Sequence, residues 1–354
     1  MQVPEIDIKQ LFENVNYMTK TIIDSSETYK DFLRWSGGFI NSQGNGEGFT
    51  IANQLLIYGF NNNARLCYDE AAWNSKGISI VRPEEPIHIM RKVSGGNGFA
   101  DRVVYDISTT NAPGLRNIVV KDQGSMCEAL IRSSPCRIEF NLKKGLPPGK
   151  ADYSFKDNTI YVGKGYQTFL QVFAELCRVY SHYYICQADK DEHQKKYENA
   201  SSKKPKQKEV FFVQKEGKYY QLSPTDIIKT DKDGREFIID TDSEGNPCRR
   251  LVIRKLIDIP DEENNVPEFT YNKAKNNAKA VEITYSVMSS INLDTSIFSD
   301  FNNLSWKSME LSKVRDDLNM ICNTARTIKD RYEENLISLG AAEYMNSQME
   351  SGVE

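Results

Sequence analysis

An acid, a cation, a thiol and an imidazole stand at helical spacing in the run Ala174-Glu175-Leu176-Cys177-Arg178-Val179-Tyr180-Ser181-His182. Residues three and four apart share a helix face. Two histidines four apart can therefore grip one zinc, while a glutamate beside the first polarises the attacking water. Here Glu175 holds the acid's place, but Ala174 offers no donor atom and Arg178 stays protonated and repels a cation. His182 shares the face as a lone imidazole, and a catalytic zinc needs three protein ligands. Glu175 is expected to pair with Arg178 at i,i+3 rather than serve as a general base. Cys177 and Cys186 flank His182 on the same helix and are expected as small core residues, because neighbours on one helix do not converge on a cleft.

Other enzyme signatures are missing. The chain has neither a P-loop nor a Gly-x-Ser-x-Gly elbow, and its three histidines are His88, His182 and His193. His88 alternates with Ile87 and Ile89 in "EPIHIM" and reads as an outward strand position. No catalytic residue, metal or cofactor is expected.

A second constellation suits binding. Tyr58, Tyr68 and Trp73 lie among Arg65, Lys76, Arg82, Arg91, Lys92 and Arg102. An unpaired nucleic-acid strand needs cations along its phosphates and aromatic faces under its bases. Each aromatic either packs into a core or offers a stacking face, whereas the cations are seldom buried unpaired. Asn53 either reads a base edge or caps local backbone.

The elements that must position these groups follow from periodicity. Ile8, Leu11, Phe12 and Val15, then Ile22, Ile23, Phe32 and Leu33, mark two amphipathic helices before the break "SGGFINSQGNGEG", and a third helix begins near Phe49. Interrupted strands follow to about Ile107, then a helix around "GSMCEALIR", the hairpin "YSFKDNTIYVG" and the helix of the opening stretch. Residues 189–209 are charged and read as a mobile linker, ahead of a small β insertion ending near Pro267. Two helices close the chain. The fold class expected is α+β, with domains over 1–112 and 113–340, the second including the 189–267 linker and insertion, and a tail over 341–354.

Composition bounds the partners. The chain has 354 residues and a net charge of −4, with 17 Lys+Arg against 16 Asp+Glu up to residue 150 and an acidic remainder. Contact with phosphate must come from a local patch. Seven scattered cysteines without a Cys-x-x-Cys pair indicate neither a disulfide framework nor a cysteine zinc site. With no long apolar run and no signal-peptide order at the N-terminus, a cytoplasmic protein without membrane contact is expected.

Two separated blocks resemble the ArdC-type antirestriction proteins of conjugative plasmids, integrative elements and phages. In the first, Asn53, Leu55, Leu56, Ile57, Ala64, Trp73, Asp106, Ser108 and Thr110 fall on family positions, within "IANQLLIYGFNNNARLCYDEAAW" and "VYDISTT". The second comprises "DYSFKDNTIYVGKG", the opening stretch and "AVEITYSVMSSINLDTS". The resemblance implies an N-terminal domain that binds single-stranded DNA and a mostly helical, zincin-like C-terminal domain. It puts the family's metal histidines on Ala174 and Arg178, its catalytic glutamate on Glu175 and its ligand carboxylate on Val281. Glu282 stands next door, turned by about 100 degrees around the helix. The reading is a protein that binds single-stranded DNA and protects incoming DNA from host defence without catalysis. A direct inhibitor of a host defence nuclease is the second reading, and an active zinc peptidase, lacking its ligands, the third.

Overall fold

The computed structural model describes residues 5–346 apart from 44–47, 94, 97, 121, 141–144, 202–206, 216, 224, 259–267, 299, 300 and 302. Parts of the glycine-rich break, of the linker, of the insertion's end and of the tail therefore lie outside the described residues. In chain order the elements are α1 (Ile8–Asp24), α2 (Ser26–Gly38), α3 (Ile51–Phe60), β1 (Cys67–Tyr68), α4 (Glu70–Ser75), β2 (Ile87–Lys92) and β3 (Phe99–Asp106). Next come β4 (Arg116–Val120), α5 (Gln123–Arg132), β5 (Arg137–Phe140), β6 (Ala151–Ser154), β7 (Thr159–Val162) and α6 (Phe169–Ser201). The strands β8 (Gln207–Lys215), β9 (Lys218–Gln221), β10 (Lys229–Thr230), β11 (Glu236–Thr241) and β12 (Pro247–Asp258) precede α7 (Lys273–Ser290), α8 (Leu311–Ser338) and β13 (Ala342–Asn346). The fold is α+β.

The chain divides into two compact units, Met1–Asp189 with Tyr271–Glu354, and Lys190–Thr270. In the first unit α1 and α2 form where the apolar spacing places them. Ser25 ends one and starts the other through a reciprocal capping box with Thr28. Leu11, Val15, Ile22, Phe32 and Leu33 are buried, whereas Phe12 is 43% exposed with its ring edge-on to Phe99. The third helix starts at Ile51, capped by Thr50, and leaves Phe49 buried ahead of it.

α2 lies directly on α7. A Cβ on Gly37 would stand 2.7 Å from the Ser286 carbonyl oxygen, so glycine is what lets the two backbones meet. Ser286 Oγ donates to the Leu33 carbonyl across the same contact. α8 packs on α7 and α5, burying Val314, Leu318, Ile321, Ala325 and Ile328.

Among the described residues three small sheets complete this unit: β1-β3-β2, β5-β7-β6, and β13 paired antiparallel with β4. The stretch expected as a tail thus begins as a strand. In the second unit β10-β11-β12-β8-β9 form one antiparallel sheet, on the segments whose turn signals predict strands. The expected linker is corrected in part: α6 runs through the charged residues to Ser201, because an established apolar helix extends into a sequence with no Gly or Pro to stop it. Among the described residues no helix is long and apolar enough to cross a membrane.

Candidate functional site

The stretch of α6 around Glu175 and Arg178, which the sequence resemblance matches to a metal position, is built as a clamp. β6 is the free edge of its sheet, and the Gly163 N–H to Lys150 carbonyl bond leaves Ala151 at the next, non-bonded position. Its N–H and C=O point off the edge. Glu175 Oε2 accepts the Ala151 N–H at 3.3 Å, and Arg178 Nη2 donates to the Ala151 carbonyl at 2.9 Å and to Glu175 at 2.7 Å. Lys150 Nζ reaches the other Glu175 oxygen at 3.0 Å. Burial raises the Glu175 carboxyl, but the Arg178 guanidinium, Lys150 and the Ala151 N–H outweigh it and hold the pKa below its usual value.

His182 is 2% exposed and its Nδ1 lies 2.8 Å from the Tyr271 hydroxyl. Burial, then the charges of Arg178 and Lys273, push its pKa down to about 4, so the ring is neutral. Val281 is half-buried on α7, and Glu282 turns instead to the Tyr29 hydroxyl, 3.1 Å away. The residues present do not fit a zinc: the matched positions carry a methyl, a guanidinium and an isopropyl group. Among the described residues no three His, Cys, Asp or Glu gather in metal-binding fashion.

The residues carrying the N-terminal resemblance prove to be framework. Asn53 is buried and its amide exchanges two 2.9 Å bonds with the Met90 backbone on β2, so it pins α3 to the sheet; neither a base edge nor a local cap is its partner. Trp73 is 1% exposed in a cluster with Leu66, Tyr68 and Tyr105, and its indole N–H donates to the Tyr105 carbonyl. Stacking by Trp73 or by Tyr68, 8% exposed, is corrected accordingly: Trp73 is enclosed in the cluster, and Tyr68 is covered by the cluster and by Lys76. Asp106 is buried and gathers the strap before β1. Its Oδ1 accepts the Arg65 N–H at 2.7 Å and the Leu66 N–H at 3.2 Å, while Oδ2 accepts from the Ser108 N–H and hydroxyl. His88 is a further correction: it faces inward, 4% exposed, with Nδ1 2.8 Å from Asp101.

What this framework holds up is a cleft of about 920 Å³ between α2, the end of α3 and parts of α7 and α8. Tyr58 lines it, half-buried and propped edge-on by Phe32 and obliquely by Trp35. Burial, with Asp31 nearby, raises its hydroxyl pKa. Arg34, Arg65 and Lys329 supply cations. Arg34 is paired with Asp31 at 2.9 Å, and Lys329 lies 3.8 Å from Glu333 and donates to the Gly37 carbonyl. Among the described residues the exposed Arg65 guanidinium has no such partner, so the cleft's unbalanced charge is Arg65. It extends past Gly38, where a Cβ would lie 3.9 Å from it. Asn62 and Asn63 add exposed amides at the rim. Tyr332 also lines the cleft; its hydroxyl is buried and, among the described residues, has no hydrogen-bond partner.

Of the ten residues expected to bind a strand, the cleft takes in Tyr58 and Arg65. Lys76 stands 5.2 Å from the Tyr68 ring, Arg102 pairs with Asp69 and Gln43, and Arg82 binds Glu85 and the Ser108 carbonyl. Arg91 and Lys92 are exposed at the end of β2. The sequence reading missed Arg34, Asn62, Asn63, Lys329 and Tyr332. The triple Asn run abutting Arg65 was the available signal, and nothing in the sequence brings Lys329 there.

No family model matches the chain, and no curated protein matches it. Among solved structures it is similar to the Mn(II)-bound crystal structure of the antirestriction protein ArdC from plasmid R388, at a TM-score of 0.42 and 12% identity, over 93% of this chain and 98% of that one. The metal-free structure of the same protein gives 0.40 and 12%, over 92% and 98%. Likeness at this depth carries no residue roles across.

Proposed function

We propose that this chain is an antirestriction protein that binds single-stranded DNA through the cleft and protects it without catalysis. The observation that carries the reading is the joint presence of Tyr58 and the unpaired Arg65 in the lining of one cleft. A ring face for a base and a free guanidinium for a phosphate are the two contacts an unpaired strand requires. Arg34 and the rim amides add polar contacts. The sequence blocks that resemble the antirestriction family supply the biological task, and Asn53, Trp73 and Asp106 act as the framework around the strap that carries Arg65.

Catalysis is left out on the donor set. Glu175 and Arg178 are bound to each other and to the backbone of β6, so the face of α6 that would present chemistry closes a sheet edge instead. Coating a strand needs no bond to be broken.

The test is protection in a restricting host: the efficiency with which unmodified DNA establishes itself, with and without the protein. The wild type should raise it, Arg65→Ala should lose most of the effect, and Glu175→Gln should keep it. Protection retained by Arg65→Ala would instead support direct inhibition of a defence nuclease.

A further inference from the structure

The small sheet of the second unit sorts its charges by face. Residues directly paired across strands share a face, and successive residues alternate. One face carries Glu209, Glu236 and Asp240, each tied to Arg254, Arg250 or Lys215, so its charges cancel. The opposite face carries Phe212, Tyr219, Phe237, Ile239 and Leu251 with Lys229, Arg249 and Lys255, and no carboxylate at any of its described strand positions. Tyr219, Ile239 and Leu251 are each more than half exposed. Lys255 Nζ stands 4.2 Å from the Tyr219 ring centroid and 5.8 Å from that of Phe212. Arg249 lies 3.6 Å over Phe237 and pairs with Asp231 in the adjoining turn. Among the described residues Lys229 and Lys255 have no carboxylate partner.

We propose that this aromatic and cationic face is a second binding site for single-stranded DNA, with bases stacking at Tyr219 and Phe212 and phosphates meeting Lys255 and Lys229. An exposed apolar sheet face invites association, and here the charges at the described strand positions are of one sign, which matches a polyanion. Rings interleaved with cations on one flat surface match unpaired bases and not a duplex, whose bases are stacked on each other. The choice of DNA rests on the function proposed above; the face itself does not depend on the cleft.

The experiment is photo-crosslinking of the full chain to a 4-thiothymidine oligonucleotide, with the linked peptides mapped by mass spectrometry and an oligouridine arm beside it. Crosslinks are expected at Tyr219 or Phe212 as well as around Tyr58, and those on the sheet should persist in Arg65→Ala. The exposed double change Tyr219→Ala, Lys255→Gln should cut the sheet crosslinks at least roughly fivefold, the scale of one lost stacking contact, while leaving those near Tyr58. Crosslinks confined to the first unit would overturn this site and spare the cleft; crosslinks confined to the sheet would do the reverse. Stronger linkage to oligouridine, or a double variant that links as the wild type does, would also overturn the proposal and leave the face to RNA or protein docking.

Discussion

The Arg65 N–H donates to Oδ1 of Asp106 at 2.7 Å, across 41 residues of chain. The same carboxylate caps the turn that opens at Ile107 and accepts from Ser108, so one buried acid fixes both the strap carrying Arg65 and the end of β3. Asp106→Ala would orphan several donors in the interior, at a cost of roughly 2–4 kcal/mol. Thermal unfolding should show a clearly lower midpoint, with DNA affinity falling alongside because Arg65 loses its anchor. An unchanged midpoint would contradict this role.

Trp73 belongs to the core. Trp73→Ala should destabilise by about 3–5 kcal/mol, whereas Trp73→Phe, which keeps most of the volume and loses the bond to Tyr105, should fold and bind DNA as the wild type does. Denaturant unfolding together with binding separates the two. A stable Trp73→Phe protein that had lost binding would restore Trp73 as a stacking residue.

Glu282 makes stability depend on pH. Burial, opposed by the Tyr29 hydroxyl, pushes its carboxyl up to about 8 from an ordinary value of 4.5. Between those pH values the unfolded chain has released a proton that the folded chain keeps, so stability falls as pH rises from about 4.5 towards 8, by on the order of 3 kcal/mol at pH 7. Glu282→Gln keeps an acceptor for Tyr29 and removes the ionisation. Its unfolding free energy should exceed that of the wild type near pH 8 and approach it near pH 5; a gap of the opposite sign would refute the assignment.

Glu175 is held by Lys150, the Ala151 N–H and Arg178. Glu175→Gln should weaken the grip on Ala151 and lower stability modestly, by about 1–2 kcal/mol, leaving DNA affinity unchanged. Metal analysis after dialysis against zinc should find well under one ion per chain for both proteins. Stoichiometric zinc lost in Glu175→Gln would overturn the clamp.

Legibility in the sequence followed the range of the interaction. α1, α2 and the β6–β7 hairpin were readable because their signals are local: apolar spacing, Ser25 beside Thr28, and a turn at Asn158 with positive φ. The Glu175–Arg178 pair was readable as neighbours on one helix turn. The roles of Asn53 and Trp73 were not, since their partners Met90 and Tyr105 lie on strands whose register no local pattern states. The cleft was hidden for the same reason: Tyr58 and Arg65 meet Lys329 and Tyr332 only once α8 has packed. The charged half of α6 was misread because a solvated helix and a linker share a composition, and the apolar half upstream decides between them.

The central claim is that Arg65 and Tyr58 make the cleft a seat for an unpaired strand. Fluorescence anisotropy with a labelled oligothymidine of about twenty nucleotides tests it most directly, titrated with wild type and Arg65→Ala across a salt series. The wild type should bind at low salt with affinity falling steeply as salt rises, and Arg65→Ala should bind at least roughly fivefold more weakly with a salt slope shallower by about 0.7. No binding at low salt, or equal binding and equal slopes for the two proteins, would contradict the account.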